Sequence, residues 1–207
     1  MNISPLRQAL GAHLGQVLTP EVACAIEVGA LQTSDNSHDP AKFGWQEYHG
    51  YVFAVERLRD IVDEIHPLHE AHFLETERHR LGFGLDMNYP YYLASERAGD
   101  LVQFTLRKDG ALVGNIRMFI GTSLHTGTQY ATEDTFFVLP EHRKGFLAIR
   151  FWQFMEANLE AIGVMEIRTD SKLLNHVDRL NSYCGYTAVA TKFVKILGEA
   201  HVQRRAR

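Results

Sequence analysis

The run Glu133-Asp134-Thr135-Phe136-Phe137-Val138-Leu139-Pro140-Glu141-His142-Arg143-Lys144-Gly145-Phe146-Leu147-Ala148 joins two kinds of chemistry. At its start stand two carboxylates, groups that can take a proton from a bound substrate. At its end an apolar strand meets a proline, a short basic loop with a glycine, and the start of an amphipathic helix. Amide N–H groups at a helix N-terminus point at an anion and the helix dipole favours negative charge, so this layout suits phosphate. Arg143 and Lys144 add countercharge. Adjacent strand residues face opposite sides, so at most one of Glu133 and Asp134 looks into a cleft. A working base also needs its pKa raised towards the operating pH by partial burial. The competing reading is an exposed pair at a strand end.

Other titratable residues invite weaker readings. His66, His69, His72 and His79 are interspersed with Glu70, Glu75 and Glu77. A spacing of three puts His69 and His72 on neighbouring helix positions, where two imidazoles can share an ion. The helical zinc signature instead spaces its histidines four apart with a glutamate beside the first. Solvated or cleft-lining histidines are therefore the preferred reading, and no metal is expected. His125 falls in a loop that could border a substrate site, although a surface histidine is the commoner outcome there.

Composition points to a globular enzyme. A chain of 207 residues forms one domain, with room for an appendage, and can bury a sizeable core. A net charge of −4 gives no general attraction to nucleic acid or to an anionic membrane surface. No apolar run approaches the roughly 18–20 residues of a membrane span, and the N-terminus lacks the regions of a signal peptide. Cys24 and Cys184 make no disulfide framework, so a cytoplasmic protein with reduced thiols is expected.

The elements that must position these groups follow from periodicity. Residues 1–50 read as an N-terminal extension of helix and loop, with helices over 9–15 and 20–30 and an exposed turn-rich run over 33–40. Residues 51–55 read as a strand. Leu58, Ile61, Val62, Ile65 and Leu68 recur at helical spacing. Pro67 is expected to break or kink that helix, with a second helical piece over 69–80 and another over 90–97. Residues 101–107 alternate as a half-buried strand should, and Lys108-Asp109-Gly110 signals a hairpin into a strand over 112–120. A loop over 121–127 leads to the long strand 130–139. Leu147, Phe151, Phe154, Met155 and Leu159 share one face of a helix over 145–162. A strand over 164–169, a helix over 175–184, a final strand over 187–196 and a basic tail over 198–207 complete the chain.

This order of elements, with the 133–148 segment at its centre, resembles the GNAT (Gcn5-related N-acetyltransferase) superfamily. The family motif is a strand ending near a proline, then Q/R-x-x-G-x-G/A at a helix start. Arg143 takes the first position and Ala148 the last; Phe146 stands at the middle glycine position, with Gly145 one residue before it. The resemblance implies an α/β (α+β) fold, a mixed sheet of about six or seven strands flanked by helices, with the transferase domain over 51–197. Within the superfamily the chain is similar to bacteriophage-encoded acetyltransferases. Leu112-Val113-Gly114, Leu124-His125, the acidic start of the long strand, Arg179-Leu180 and Gly185-Tyr186 carry that likeness.

The resemblance further implies acetyl-CoA as co-substrate and an amine acceptor, either a small molecule or a protein, reached by direct attack in a ternary complex. Main-chain groups of Phe137, Val138 and Leu139 would bind the cofactor's arm. Amides of Lys144, Gly145, Phe146, Leu147 and Ala148, with Arg143, would take the pyrophosphate, and Asn175 would lie near the cofactor. Asp134 ranks slightly ahead of Glu133 as base, by analogy to the phage sequences. The family's leaving-group acid is a tyrosine four residues before the glycine of the last helix, a position held by Asn181. Tyr183, roughly 200° around that helix, is the remaining hydroxyl candidate. His125, Tyr91 and Tyr92 are candidates for acceptor contact, and a homodimer is a family precedent. A rival reading is a phage protein that keeps the fold and acts by binding a host protein target.

Overall fold

A computed structural model describes residues 5–31, 35–76, 84–171 and 177–193. Six strands form one sheet in chain order: β1 (Gln46–Tyr48), β2 (Tyr51–Val55), β3 (Leu101–Lys108), β4 (Ala111–Thr122), β5 (Gln129–Val138) and β6 (Val164–Arg168). Neighbours are antiparallel except β5 and β6, which are parallel and so need a crossover connection. Helices α1 (Pro5–Ala12) and α2 (Pro20–Leu31) pack on each other ahead of the sheet. Helices α3 (Leu58–Thr76) and α4 (Tyr89–Ala98) link β2 to β3; α5 (Leu147–Ala161) is the crossover; α6 (Val177–Tyr183) follows β6. This is the mixed α+β sheet with flanking helices.

Turn chemistry sets the register. His49 and Gly50 have φ of 52° and 74°, and Asp109 and Gly110 have 51° and 84°. Two consecutive left-handed residues give the hairpin whose twist matches its strands.

The two faces of the sheet bury different chemistry. Against α5 lie Phe53, Phe104, Ile116, Met118, Ala131 and Val138, packed on Leu147, Phe151, Trp152 and Met155 in one apolar cluster. The alternate positions point towards α3 and α4. There Leu58, Ile61, Ile65 and Leu68 meet Leu112 and Phe137, while Gln103, Thr105, Asn115, Arg117 and Thr135 are buried polar residues of the strands. Side-chain atoms Oδ1 and Nδ2 of Asn115 have no partner among the described residues.

Several expectations change. α3 runs unbroken through Pro67 to Thr76, because Ile61, Ile65, Leu68 and His69 on both sides of the proline are held against the sheet. Packing outweighs the lost backbone hydrogen bond. β3 is buried on both faces from Leu101 to Leu106 rather than half-buried, since its polar positions lie under α3 and α4. Residues 46–48, read as part of the extension, add a first strand to the sheet. No strand forms over 187–193, which is irregular and exposed; residues 194–196 and the tail lie outside the described residues.

Candidate active site

The β5–β6 ladder covers only part of β5. It pairs Gln129 with Val164 and ends at Thr132 with Arg168. Beyond that point, among the described residues, β5 pairs only with β4, from Met118–Glu133 to Gly114–Val138. The Leu139 N–H donates to Val113 O at 2.9 Å, and alternation along the strand then turns the N–H and C=O of Phe136 and Val138 away from β4. Those groups lie along an open edge. Sequence reasoning assigned this role to the main chain of Phe137, Val138 and Leu139; the register gives the outward groups to Phe136 and Val138, and turns those of Phe137 and Leu139 towards β4.

The open edge leads to the start of α5. No side chain among the described residues caps that helix. The N–H groups of Phe146, Ala148 and Ile149 make no backbone hydrogen bond among the described residues, leaving donors of the kind that bind anions. Gly145 has φ of 56°, whereas Phe146 has φ of −96°. The left-handed residue that lets the chain turn into the helix is thus residue 145, which accounts for a glycine there and a phenylalanine in the motif's usual glycine position. Lys144 is exposed beside this turn. Arg143 donates from Nε to Val138 O at 2.7 Å and pairs with Glu75 through both terminal nitrogens, at 3.0 and 2.7 Å.

Glu133 sits at the point where the ladder ends. Its Oε2 accepts a hydrogen bond from the Thr169 hydroxyl, the residue that follows β6. Burial pushes its carboxyl up to about 7, against the lowering effect of that bond. Asp134 is the extra residue of a β-bulge, opposite the step from Arg117 to Met118. The two carboxylates face opposite sides.

Asp134, itself exposed, is the outer end of a network that runs into the buried layer. Arg117, fully buried, donates from Nη1 to Asp134 Oδ2 at 3.2 Å, from Nε to Gln103 Oε1 at 3.0 Å and from Nη2 to His69 Nε2 at 2.5 Å. Burial, reinforced by the Arg117 charge, depresses His69 to about 3, so its ring is neutral. A guanidinium can only donate, which makes Nε2 an acceptor and leaves the ring proton on Nδ1. His69 then donates to the Tyr89 hydroxyl (3.0 Å), and Tyr89 donates to His66 Nδ1 (2.8 Å). Thr135 Oγ1 also donates to Asp134 Oδ2. Asp134 Oδ2 thus accepts from two donors, Arg117 and Thr135, whereas Glu133 accepts from Thr169.

The other candidates are dispersed. Tyr92 lies over Arg117, with the guanidinium carbon 4.2 Å from its ring centroid, and Tyr91 and Tyr92 both pack on Phe119. Both therefore lie on the Asp134 side of the sheet. His125 is exposed in the β4–β5 turn, its N–H bonded to Ser123 Oγ. Four strand residues, roughly 13 Å, separate the start of β5 from Glu133, so His125 is remote from both carboxylates. Tyr183 is 64% exposed at the end of α6, while Leu180, Cys184 and Tyr186 turn onto the α5 layer. Asn175, His79 and Glu77 lie outside the described residues. Among those described, no group of three His, Cys, Asp or Glu side chains could hold a metal ion; His66 and His69 share the Tyr89 hydroxyl instead. Arg117 and Thr169 had gone unnoticed in the sequence. A lone arginine inside the apolar run of β4 was the available signal, because a buried charge demands partners.

Comparison with solved structures finds the same fold, a mixed sheet parted between two parallel strands, in several acetyltransferases. The chain resembles a ribosomal-protein-alanine N-acetyltransferase from Brucella melitensis biovar Abortus (TM-score 0.56, 18% identity, covering 72% of this chain and 99% of that one). It is similar to an aminoglycoside acetyltransferase from an uncultured soil metagenomic sample (TM-score 0.58, 12% identity, 72% and 99%). A GNAT family acetyltransferase of Staphylococcus aureus matches likewise (TM-score 0.53, 16% identity, 72% and 99%). No protein-family model and no curated protein matches the sequence. No described helix is long and apolar enough to cross a membrane.

Proposed function

We propose that this protein is an acyl-CoA-dependent N-acyltransferase that moves acetyl from acetyl-CoA to an amine by direct attack. The observation that carries the reading is the open edge of β5 at Phe136 and Val138, running from Glu133 to the uncapped basic start of α5. The residues fit the cofactor: outward main-chain groups suit its amide-bearing arm, and Arg143, Lys144 and the free N–H groups of Phe146 and Ala148 suit its pyrophosphate. When bound, acetyl-CoA supplies the activated acyl carbonyl. The chain supplies the rest. Glu133, near neutrality in its proton affinity, takes the proton from the acceptor's ammonium, and Thr169 fixes its orientation. Arg117 holds Asp134 in place on the other face of the sheet, the face that carries Tyr92 and Thr135. Tyr91, Tyr92 and Phe119 form an aromatic cluster on that same face, away from the Glu133 carboxylate.

Residues 51–197 form the transferase unit in this reading, completed by β1 from the preceding segment, and the free thiols of Cys24 and Cys184 suit a reducing cytoplasm. The likeness to phage-encoded enzymes stays with the sequence features that carry it. Titration calorimetry with acetyl-CoA and with CoA tests the reading, beside an Arg143→Glu, Lys144→Glu double variant. Micromolar binding lost in the variant supports it, and no binding by folded wild type overturns it. The exposure of Tyr183 and the asparagine at 181 favour one second reading, a fold retained to bind a host protein. Tight CoA binding without turnover on any amine would select that reading.

A further inference from the structure

Arg143 spans the open edge. Its Nε–H is lodged on Val138 O, one of the outward acceptors of β5, and its two terminal nitrogens form a bidentate pair with Glu75 in the last turn of α3. The guanidinium also lies 5.1 Å from the Phe137 ring centroid. One side chain thus ties the strand edge, the loop after it and the end of a helix from the opposite layer. It occupies the main-chain acceptor that an incoming strand-like ligand would use, and its charge is spent on a carboxylate.

We propose that Glu75 and Arg143 form a latch over the cleft, and that a phosphate-bearing ligand opens it by taking Arg143 from Glu75. The inference rests on the cofactor reading above. Its physical basis is competition for one cation. Both partners are about a third exposed, so solvent screens the pair and it holds weakly. A pyrophosphate, carrying more charge than one carboxylate and assisted by the α5 amides, outcompetes it. Opening the latch frees Val138 O for the ligand's arm and releases the end of α3, the helix that bears His66 and His69. Glu75 is therefore a positioning residue that lowers affinity in the free state, not a ligand contact.

The test is a double-mutant cycle read by calorimetric titration with CoA, with folding checked by circular dichroism. Glu75→Gln is expected to tighten CoA binding about two- to five-fold, the worth of an exposed ion pair. In an Arg143→Gln background the same change is expected to have no effect, because the carboxylate has no cation left to sequester. Equal tightening in both backgrounds would mean that Glu75 merely repels a polyanion, and would overturn the latch. Unchanged binding in Glu75→Gln would overturn it too while leaving the cofactor reading intact. Absence of CoA binding in every folded protein would remove the cofactor reading and the latch with it.

Discussion

Arg117, in the middle of β4, and His69, on the sheet-facing side of α3, meet at 2.5 Å with Nη2 donating to Nε2. A buried cation is thereby bound to a neutral imidazole, and the proton on the far side of the ring sets the direction of the hydrogen bonds to Tyr89 and His66. This pair ties the helix layer to the carboxylate at position 134.

His69→Leu is expected to cost about 2–4 kcal/mol, because it strips an acceptor from a fully buried guanidinium and a donor from the Tyr89 hydroxyl. The pH dependence follows from the depressed proton affinity of the ring. Its folded value, about 3, lies below its ordinary 6.5, so its contribution is complete above pH 6.5 and is lost as pH falls towards 3. Urea titrations across that window should show a slope that His69→Gln flattens.

Glu133 works in the opposite sense. Its folded value, about 7, lies above its ordinary 4.5, so the fold prefers it protonated and stability falls as pH rises between those values. Glu133→Gln, which can still accept from Thr169, is expected to raise the melting temperature above pH 7 and to leave it unchanged below pH 4.5. Turnover should drop by about 10²–10⁴-fold, and the acid limb of the wild-type rate profile, near pH 7, should vanish.

Gly145 and Phe146 separate the motif from the geometry. Gly145→Ala meets open space but a left-handed φ, so a cost of about 1 kcal/mol and weaker CoA binding are expected. Phe146→Gly, which restores the family's usual letter, should not improve CoA binding, because residue 146 already has an ordinary negative φ. Calorimetry on both variants checks the pair.

Gly114 keeps β4 close to β5. A Cβ there would lie 2.9 Å from Phe137 O and 3.0 Å from Val138 Cγ2. Gly114→Ala is expected to cost about 1–3 kcal/mol by overpacking and to displace the open edge. Denaturant unfolding and CoA titration would register both effects.

Much of this architecture could be read from residue order. Lys108-Asp109-Gly110 announced its hairpin, the Leu147–Leu159 stripe announced α5, and the pair at 133 and 134 marked the carboxylates on opposite faces. What escaped was set by tertiary packing. Pro67 reads as a breaker because the sequence does not display the sheet that holds both halves of α3. Gln103 and Thr105 read as solvent-facing because alternation distinguishes faces without saying what covers them. Arg117 was passed over inside an apolar strand, and it is Arg117 that decides which carboxylate is occupied.

The unpaired stretch of β5 bears on solubility as well as on chemistry. An exposed strand edge is a template for pairing with another chain, and proteins blunt such edges with charge. Arg143, seated on the carbonyl of Val138, acts as a gatekeeper against that fate. Removing it should make the ligand-free protein prone to self-association at high concentration, and filling the cleft should restore monodispersity.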